Sequence, residues 1–173
     1  NVTVSGQTGS PTNNGLFRLS SGTFNVGTAS GNSMGAGVGS FFTIEGGTMN
    51  VFGRLNSTSA NITFRLSGGV ININLAGNAA STPSFGFTAG TTVSFFSGGT
   101  INLVQACTGG TPVDYNMGGT MNFTGGTLNV GTAATVTGLT FRVQGQMPNV
   151  VIDNTTLSKQ VALTGQGNVW GNL

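Results

Sequence analysis

The sequence predicts an all-β chain folded as a single-chain parallel β-solenoid, with roughly triangular coils turned at Gly-Gly corners. Three observations predict it: a repeated strand–corner–strand motif, a period of two on either side of each corner, and variable spacing between the copies. The clearest copy is FRLSGGVINI, Phe64 to Ile73. Side chains alternate across a strand, so Phe64 and Leu66 point one way and Arg65 the other. Ser67-Gly68-Gly69 forms the corner, where glycine reaches positive φ without steric cost. Beyond it Ile71 and Ile73 share a face, and Val70, Asn72 and Asn74 take the opposite one. A segment this short, with one apolar face, cannot bury that face alone and needs copies stacked on it.

The copies are FRLSSGTFNV from Phe17 to Val26, FTIEGGTMNV from Phe42 to Val51, SFFSGGTINL from Ser94 to Leu103, and a compressed pair, MGGTMNFTGGTLNV, from Met117 to Val130. Aligned on the asparagine after the corner, they place Asn25, Asn50, Asn72, Asn102 and Asn122 in equivalent slots, at spacings of 25, 22, 30 and 20 residues. A fixed motif at variable spacing is the signature of a solenoid whose connecting arcs absorb insertions. The expected core side of the strand after each corner is Phe24, Met49, Ile71, Ile101 and Met121, with the asparagines outside it. Phe17, Phe42 and Phe64 are expected to form an aromatic ladder inside the coil.

Taken in order, Asn1 to Ser5 alternates as a strand and Gly6 to Gly15 is turn-rich. Solenoid coils are expected over residues 1–139, with loop insertions at about 27–40, 75–90 and 104–114, the last carrying Cys107 and Pro112. A short loop containing Arg54 runs from Gly53 to Ala60. In the compressed pair Asn129 follows Asn122 by only seven residues, so the MNF strand closes one corner and opens the next. A strand flanked by two corners requires more than two sides. Residues 140–173 are expected to be variant terminal coils, in which Phe141-Arg142-Val143 keeps the first strand and Gln144 to Pro148 replaces the glycine corner. No helical periodicity appears. With no methionine at its start and strand-like sequence at its end, the chain is expected to be a fragment of a longer one.

Composition narrows the function. Charged residues make up 5% of the chain, against about 25% in an average domain, and histidine is absent. The apolar residues are regularly placed, which argues against disorder. The net charge of +2, spread over four arginines and one lysine, is too sparse to follow a phosphate backbone, and no apolar run is long enough to span a membrane as a helix. Neither nucleic acid nor membrane insertion is therefore expected. Glu45, Asp114 and Asp153 are the only acids, Tyr115 is the only tyrosine, and Cys107 has no second cysteine. Catalysis needs convergent titratable groups, calcium needs several carboxylates together, and zinc needs Cys/His sets. The chain is expected to be no enzyme, with no catalytic residues, no cofactor and no metal.

The most suggestive surface feature is Thr-x-Asn. Thr23, Asn25, Thr48, Asn50, Asn72, Thr100, Asn102, Thr120 and Asn122 all face away from the apolar side of their strands and form a candidate ligand face for glycans or ice. The plainer reading is better supported: threonine suits strands and stacked asparagines bond along a ladder. Val70 interrupts the threonine column. Arg18, Arg65 and Arg142 share the slot between two inward residues and read as solvated charges. Thr43 in that slot keeps Arg18 and Arg65 two coils apart, near a Debye length of about 8–10 Å. The Asn-x-Thr/Ser sequons at Asn1, Asn56, Asn61, Asn122 and Asn154 are expected by chance in so Asn- and Thr-rich a chain.

The repeated FxhSGGTxNh units (h, apolar), together with the closing FRVQGQMPNVVIDNTT and VALTGQGNVWGNL, resemble the β-solenoid regions of very large Bacteroidota surface adhesins exported by the type 9 secretion system. The resemblance covers Phe17 to Leu173 and is one of repeat style; no C-terminal sorting domain is visible. It implies a secreted or cell-surface location on the extracellular face of the outer membrane, and a structural and adhesive role as a stiff neutral stalk. Further repeats of the same polypeptide at one or both ends, surface glycans and the secretion machinery are the implied partners. Two rival readings stand beside it. One is a carbohydrate-binding module using the Thr-x-Asn face or the loop from Leu75 to Gly90. The other is a phage fibre or tailspike segment assembling as a trimer.

Overall fold

The structure, a computed structural model, describes residues 2–4, 12–79, 82–109, 113–136, 140–152 and 160–169. Among them there is no helix; the chain winds as a succession of short parallel strands into a three-sided β-solenoid. The first coils contain β1 (Val2–Val4), β2 (Thr12–Asn13), β3 (Leu16–Leu19), β4 (Thr23–Val26) and β5 (Gly35–Ala36). Then come β6 (Phe41–Ile44), β7 (Thr48–Val51), β8 (Leu55–Ser57), β9 (Thr63–Leu66), β10 (Val70–Ile73) and β11 (Phe85–Phe87). The later coils contain β12 (Val93–Phe96), β13 (Thr100–Leu103), β14 (Tyr115–Met117), β15 (Thr120–Phe123), β16 (Thr127–Val130), β17 (Thr140–Met147), β18 (Asn149–Ile152) and β19 (Gln160–Val169).

As far as β17, every third strand stacks on the same side. The first face is β3-β6-β9-β12-β15 and the second is β1-β4-β7-β10-β13-β16-β18. The third face is β8-β11-β14-β17-β19, continued by the β2-β5 pair through a bridge between Met34 and Leu55. All pairings are parallel, and the motif copies stack residue on residue: Asn25 on Asn50 on Asn72 on Asn102, and Phe17 on Phe42 on Phe64. A one-residue slip would turn every apolar side chain outward, so burial of one side of each strand sets this register.

The corners between first and second faces are glycine-driven. Gly47, Gly69, Gly99 and Gly126 have φ of 71°, 75°, 74° and 87°, a region costly for any residue with a Cβ. Each corner also nests on the one before it. A Cβ on Gly69 would lie 2.7 Å from the Gly46 carbonyl carbon and 2.8 Å from the carbonyl oxygens of Gly46 and Gly47. The second glycine of each pair is thus required twice, by its own backbone and by its neighbour's.

The core is one continuous column. Met49, Ile71 and Ile101 point into it from the second face and are fully buried, and Phe24 packs against it half-buried at the first coil. Aromatic rings from the first and third faces meet across the interior: Phe64 lies 5.6, 5.2 and 5.5 Å from Phe85, Phe87 and Phe96, and Phe85 stacks on Tyr115 at 5.7 Å. Such pairs prefer these offset and edge-on separations.

Several expectations are corrected. The stretches expected as loops at 27–40 and 75–90 contain the third-face strands β5 and β11, and β8 lies in the segment from Gly53 to Ala60. Asp114 lies in the connection just before β14, as expected, but it is fully buried there. Met121 packs against the core as expected, but it and Asn122 belong to β15 on the first face, where they pair with Ser94 and Phe95; the residue that continues the second-face column is Asn129. Arg142 lies in β17 on the third face, out of line with Arg18 and Arg65. Asn74 does not face outward. The strand ends at Ile73, and Asn74 takes φ of 60° and turns inside, giving Nδ2–H to the Gln105 carbonyl at 2.8 Å and accepting from Asn78 N–H at 2.6 Å. Of the turn-rich stretch Gly6 to Gly15, Thr12–Asn13 forms β2, while residues 6–11, like Pro112 and Asp153, lie outside the described residues.

Candidate functional site

The Thr-x-Asn face is the outer side of the second sheet, and its two columns are built differently. The threonine positions run Thr23, Thr48, Val70, Thr100, Thr127 in register, so a valine interrupts the hydroxyls midway. The asparagine positions form an amide ladder. Asn50 Nδ2 donates to Asn25 Oδ1 at 2.9 Å, Asn72 to Asn50 at 2.8 Å, Asn102 to Asn72 at 2.7 Å, and Asn129 to Asn102 at 2.8 Å. All bonds run in one direction because identical half-buried amides at one strand spacing can polarise one another head to tail. Asn50, Asn72 and Asn102 each donate to one neighbour and accept from the other. Each interior amide thus commits one of its two donors and one of its two acceptor sites to the ladder, which gives the coils register and cohesion. Val151 ends it beyond Asn129. Thr120 and Asn122, on the first face, take no part; Thr127 and Asn129 complete the set.

The first face carries Arg18 and Arg65. Its outward column reads Arg18, Thr43, Arg65, Phe95, Asn122. Arg18 and Arg65 are two coils apart, with Thr43 between them. Neither is merely solvated. Arg18 is paired with Glu45 at 2.7 Å, and the Arg65 guanidinium carbon sits 4.5 Å above the Phe95 ring. These are exposed contacts, each contributing about 1 kcal/mol or less.

Inside the third corner is a polar cluster that sequence reasoning did not find. Asp114 Oδ1 accepts the Cys107 N–H at 2.6 Å and Oδ2 accepts the Arg142 N–H at 2.8 Å, tying two successive connections together. Cys107 Sγ lies 2.9 Å from Ser84 Oγ. Burial pushes the Cys107 thiol up, so it is held as a protonated, unreactive group. The cluster lacks an imidazole, and among the described residues no three His, Cys, Asp or Glu side chains gather as a metal site would require. It is a structural tie.

Burial also raises the Asp114 carboxyl to about 6, against the opposing pull of its two backbone donors. A carboxyl that binds its proton more tightly in the folded chain makes folding take up protons between about pH 4 and pH 6. Stability is therefore greatest below about pH 4 and falls as pH rises to about 6, by roughly 3 kcal/mol. Urea denaturation across that range should show this slope, and Asp114→Asn, which cannot titrate, should flatten it whatever it does to the baseline. An unchanged slope in the variant would assign the effect elsewhere.

Arg54 marks one more surface. It precedes β8, and its guanidinium bonds Ser33 Oγ through Nε at 3.4 Å and Thr82 Oγ1 through Nη1. Its sequence context, a lone arginine in GRLNSTS, carries no recognisable motif. No family model matches the chain, and neither a curated protein nor a solved structure matches it significantly. What is established is thus the architecture: a three-sided parallel β-solenoid with an amide ladder along its second face and glycine corners beside it.

Proposed function

We propose that this chain is a structural and adhesive segment of a secreted or cell-surface bacterial protein, a stiff stalk built from stacked coils. The observation that carries the reading is the in-register stacking of three-sided coils on one continuous core, joined outside by an amide ladder that runs from coil to coil. In such a stack each coil touches only its neighbours, so length scales with coil number and rigidity comes from the interfaces between coils. The uncharged ladder face suits a spacer, which needs cohesion along its axis more than it needs a ligand. The resemblance to the solenoid regions of large Bacteroidota adhesins supports the same reading, and further coils of the same polypeptide are the partners it calls for.

The test lies at the edge of the stack. Among the described residues β3 is paired on one side only, and the adjoining surface carries exposed Leu16, Val38 and Phe41, at 68%, 68% and 48%. An unpaired edge flanked by apolar side chains is a template for further strands. Sedimentation velocity on residues 1–173 should show concentration-dependent association. Leu16→Lys, which places a charge on that edge without touching the core, should abolish it, and added flanking coils should relieve it. A monodisperse, cooperatively unfolding monomer would mark a finished domain and remove the stalk reading.

A further inference from the structure

We propose that the groove around Arg54 on the third face binds an anionic sugar, one carrying a carboxylate or a sulfate. The groove is a cavity of about 390 Å³, within the range of small-molecule sites. It crosses four stacked coils along the outward column Thr12, Gly35, Asn56, Gly86. A spacer that only resists force needs no such concavity, so the inference goes beyond the stalk reading and does not depend on it.

Two observations select the ligand. The first is charge. Among the described residues Arg54 is the only charged side chain lining the groove, and no carboxylate lines it. Among the described residues the one ion pair is Arg18–Glu45, on a different face. The guanidinium is held in place by the hydroxyls of Ser33 and Thr82, which orient it without neutralising it. A planar fork fixed this way is suited to an incoming carboxylate or sulfate. Around it stand hydroxyls of Thr58, Ser59 and Thr88 and the amide of Asn56, whose Nδ2 is bonded to the Pro83 carbonyl at 2.7 Å. These groups fit a polyhydroxylated ligand. Among the described residues no aromatic ring lines the groove, so stacking on a neutral sugar contributes nothing and the charge carries recognition.

The second observation is Gly35. Glycine inside a strand weakens it and often marks a place where something approaches closely. At Gly86 packing explains the glycine, because a Cβ would sit against the Asn116 carbonyl oxygen. At Gly35 packing does not. A Cβ there would meet only the Asn56 carbonyl oxygen and Thr12 Oγ1, both at 3.7 Å, in ordinary contact, and φ is not in the left-handed region. What the missing side chain does is keep the floor of the groove open.

Gly35→Ala therefore separates binding from folding. The experiment is calorimetric titration of residues 1–173 with oligogalacturonate, dextran sulfate, fully methyl-esterified oligogalacturonate and inorganic sulfate. Saturable binding is expected for at least one of the two charged polysaccharides, and at least tenfold weaker binding for the esterified oligomer and the free ion. Gly35→Ala should weaken binding tenfold or more while raising Tm by about 1–4 °C, because alanine restricts the unfolded chain and fits the folded one. Arg54→Lys, keeping charge but losing the fork, should also weaken it. No saturable binding of either charged polysaccharide would overturn the proposal. So would binding left unchanged by Gly35→Ala, or equal binding of the esterified oligomer or of sulfate alone. A monomeric chain that binds would defeat the stalk reading and leave this one standing.

Discussion

Gly69→Val is expected to lower stability by at least about 4 kcal/mol, among the largest effects of any single change in the chain. Two costs add. The residue sits at φ of 75°, where a β-branched side chain is strained. Its Cβ would also lie 2.7 to 2.8 Å from backbone atoms of the preceding corner, which cannot move without pulling two stacked strands apart. Gly22 separates the terms. Its φ is 76°, yet among the described residues nothing lies within 4 Å of an added Cβ, so Gly22→Ala should cost only the backbone strain of about 1–2 kcal/mol. Thr48→Val changes an outward hydroxyl on a strand and should stay within about 0.5 kcal/mol. Urea denaturation of the three variants measures the order. If Gly69→Val and Thr48→Val cost the same, the nested corners are not what holds the first two faces together.

The second large effect is expected at Phe64. Phe64→Ala should cost about 3–5 kcal/mol, because the ring is fully buried and its removal leaves a cavity bordered by Phe85, Phe87 and Phe96. Those neighbours belong to the third face, in the case of Phe85 and Phe87, and to the next coil, in the case of Phe96. The hole therefore loosens contacts both across the coil and along the stack. Because coils are coupled only to their neighbours, unfolding of the variant should lose its single transition and separate into an earlier and a later phase. Hydrogen exchange should show β9, β11 and β12 opening first. Phe41→Ala, one residue from Phe42 but facing outward, should cost less than about 1 kcal/mol. Similar losses at Phe64 and Phe41 would mean that the alternation of inward and outward residues had been misread.

The two positions also show what kind of information was legible. The period of two around each glycine pair told inward from outward correctly for Met49, Ile71, Ile101 and the Asn25 to Asn102 column, because that distinction depends only on local alternation and on which side is apolar. The ladder of amide bonds followed from stacking identical residues. The two neighbouring segments TMNF and TLNV were harder. Their sequences are nearly the same, yet Asn122 sits on the first face and Asn129 on the second. Arg142 was misplaced for the same reason, since a Phe-Arg-apolar triplet reads alike on any side of the coil.

Sequence alone determined the repeat, the parallel stacking, the glycine corners and the inward-facing set, since each rests on residues close together in the chain. Only the tertiary structure decided the third face, the buried Asp114 tie and the groove at Arg54. The strands Leu55–Ser57, Phe85–Phe87 and Tyr115–Met117 share no motif and are three residues long. They become strands because the coils above and below present backbone donors and acceptors to them. Asp114 is buried because the Cys107 N–H of its own connection and the Arg142 N–H, 28 residues further on, converge on it, and the groove exists because glycine, asparagine and glycine from successive coils fall in one outward column. Contacts made between coils by unlike residues leave no period in the chain, and so they leave nothing in it to read.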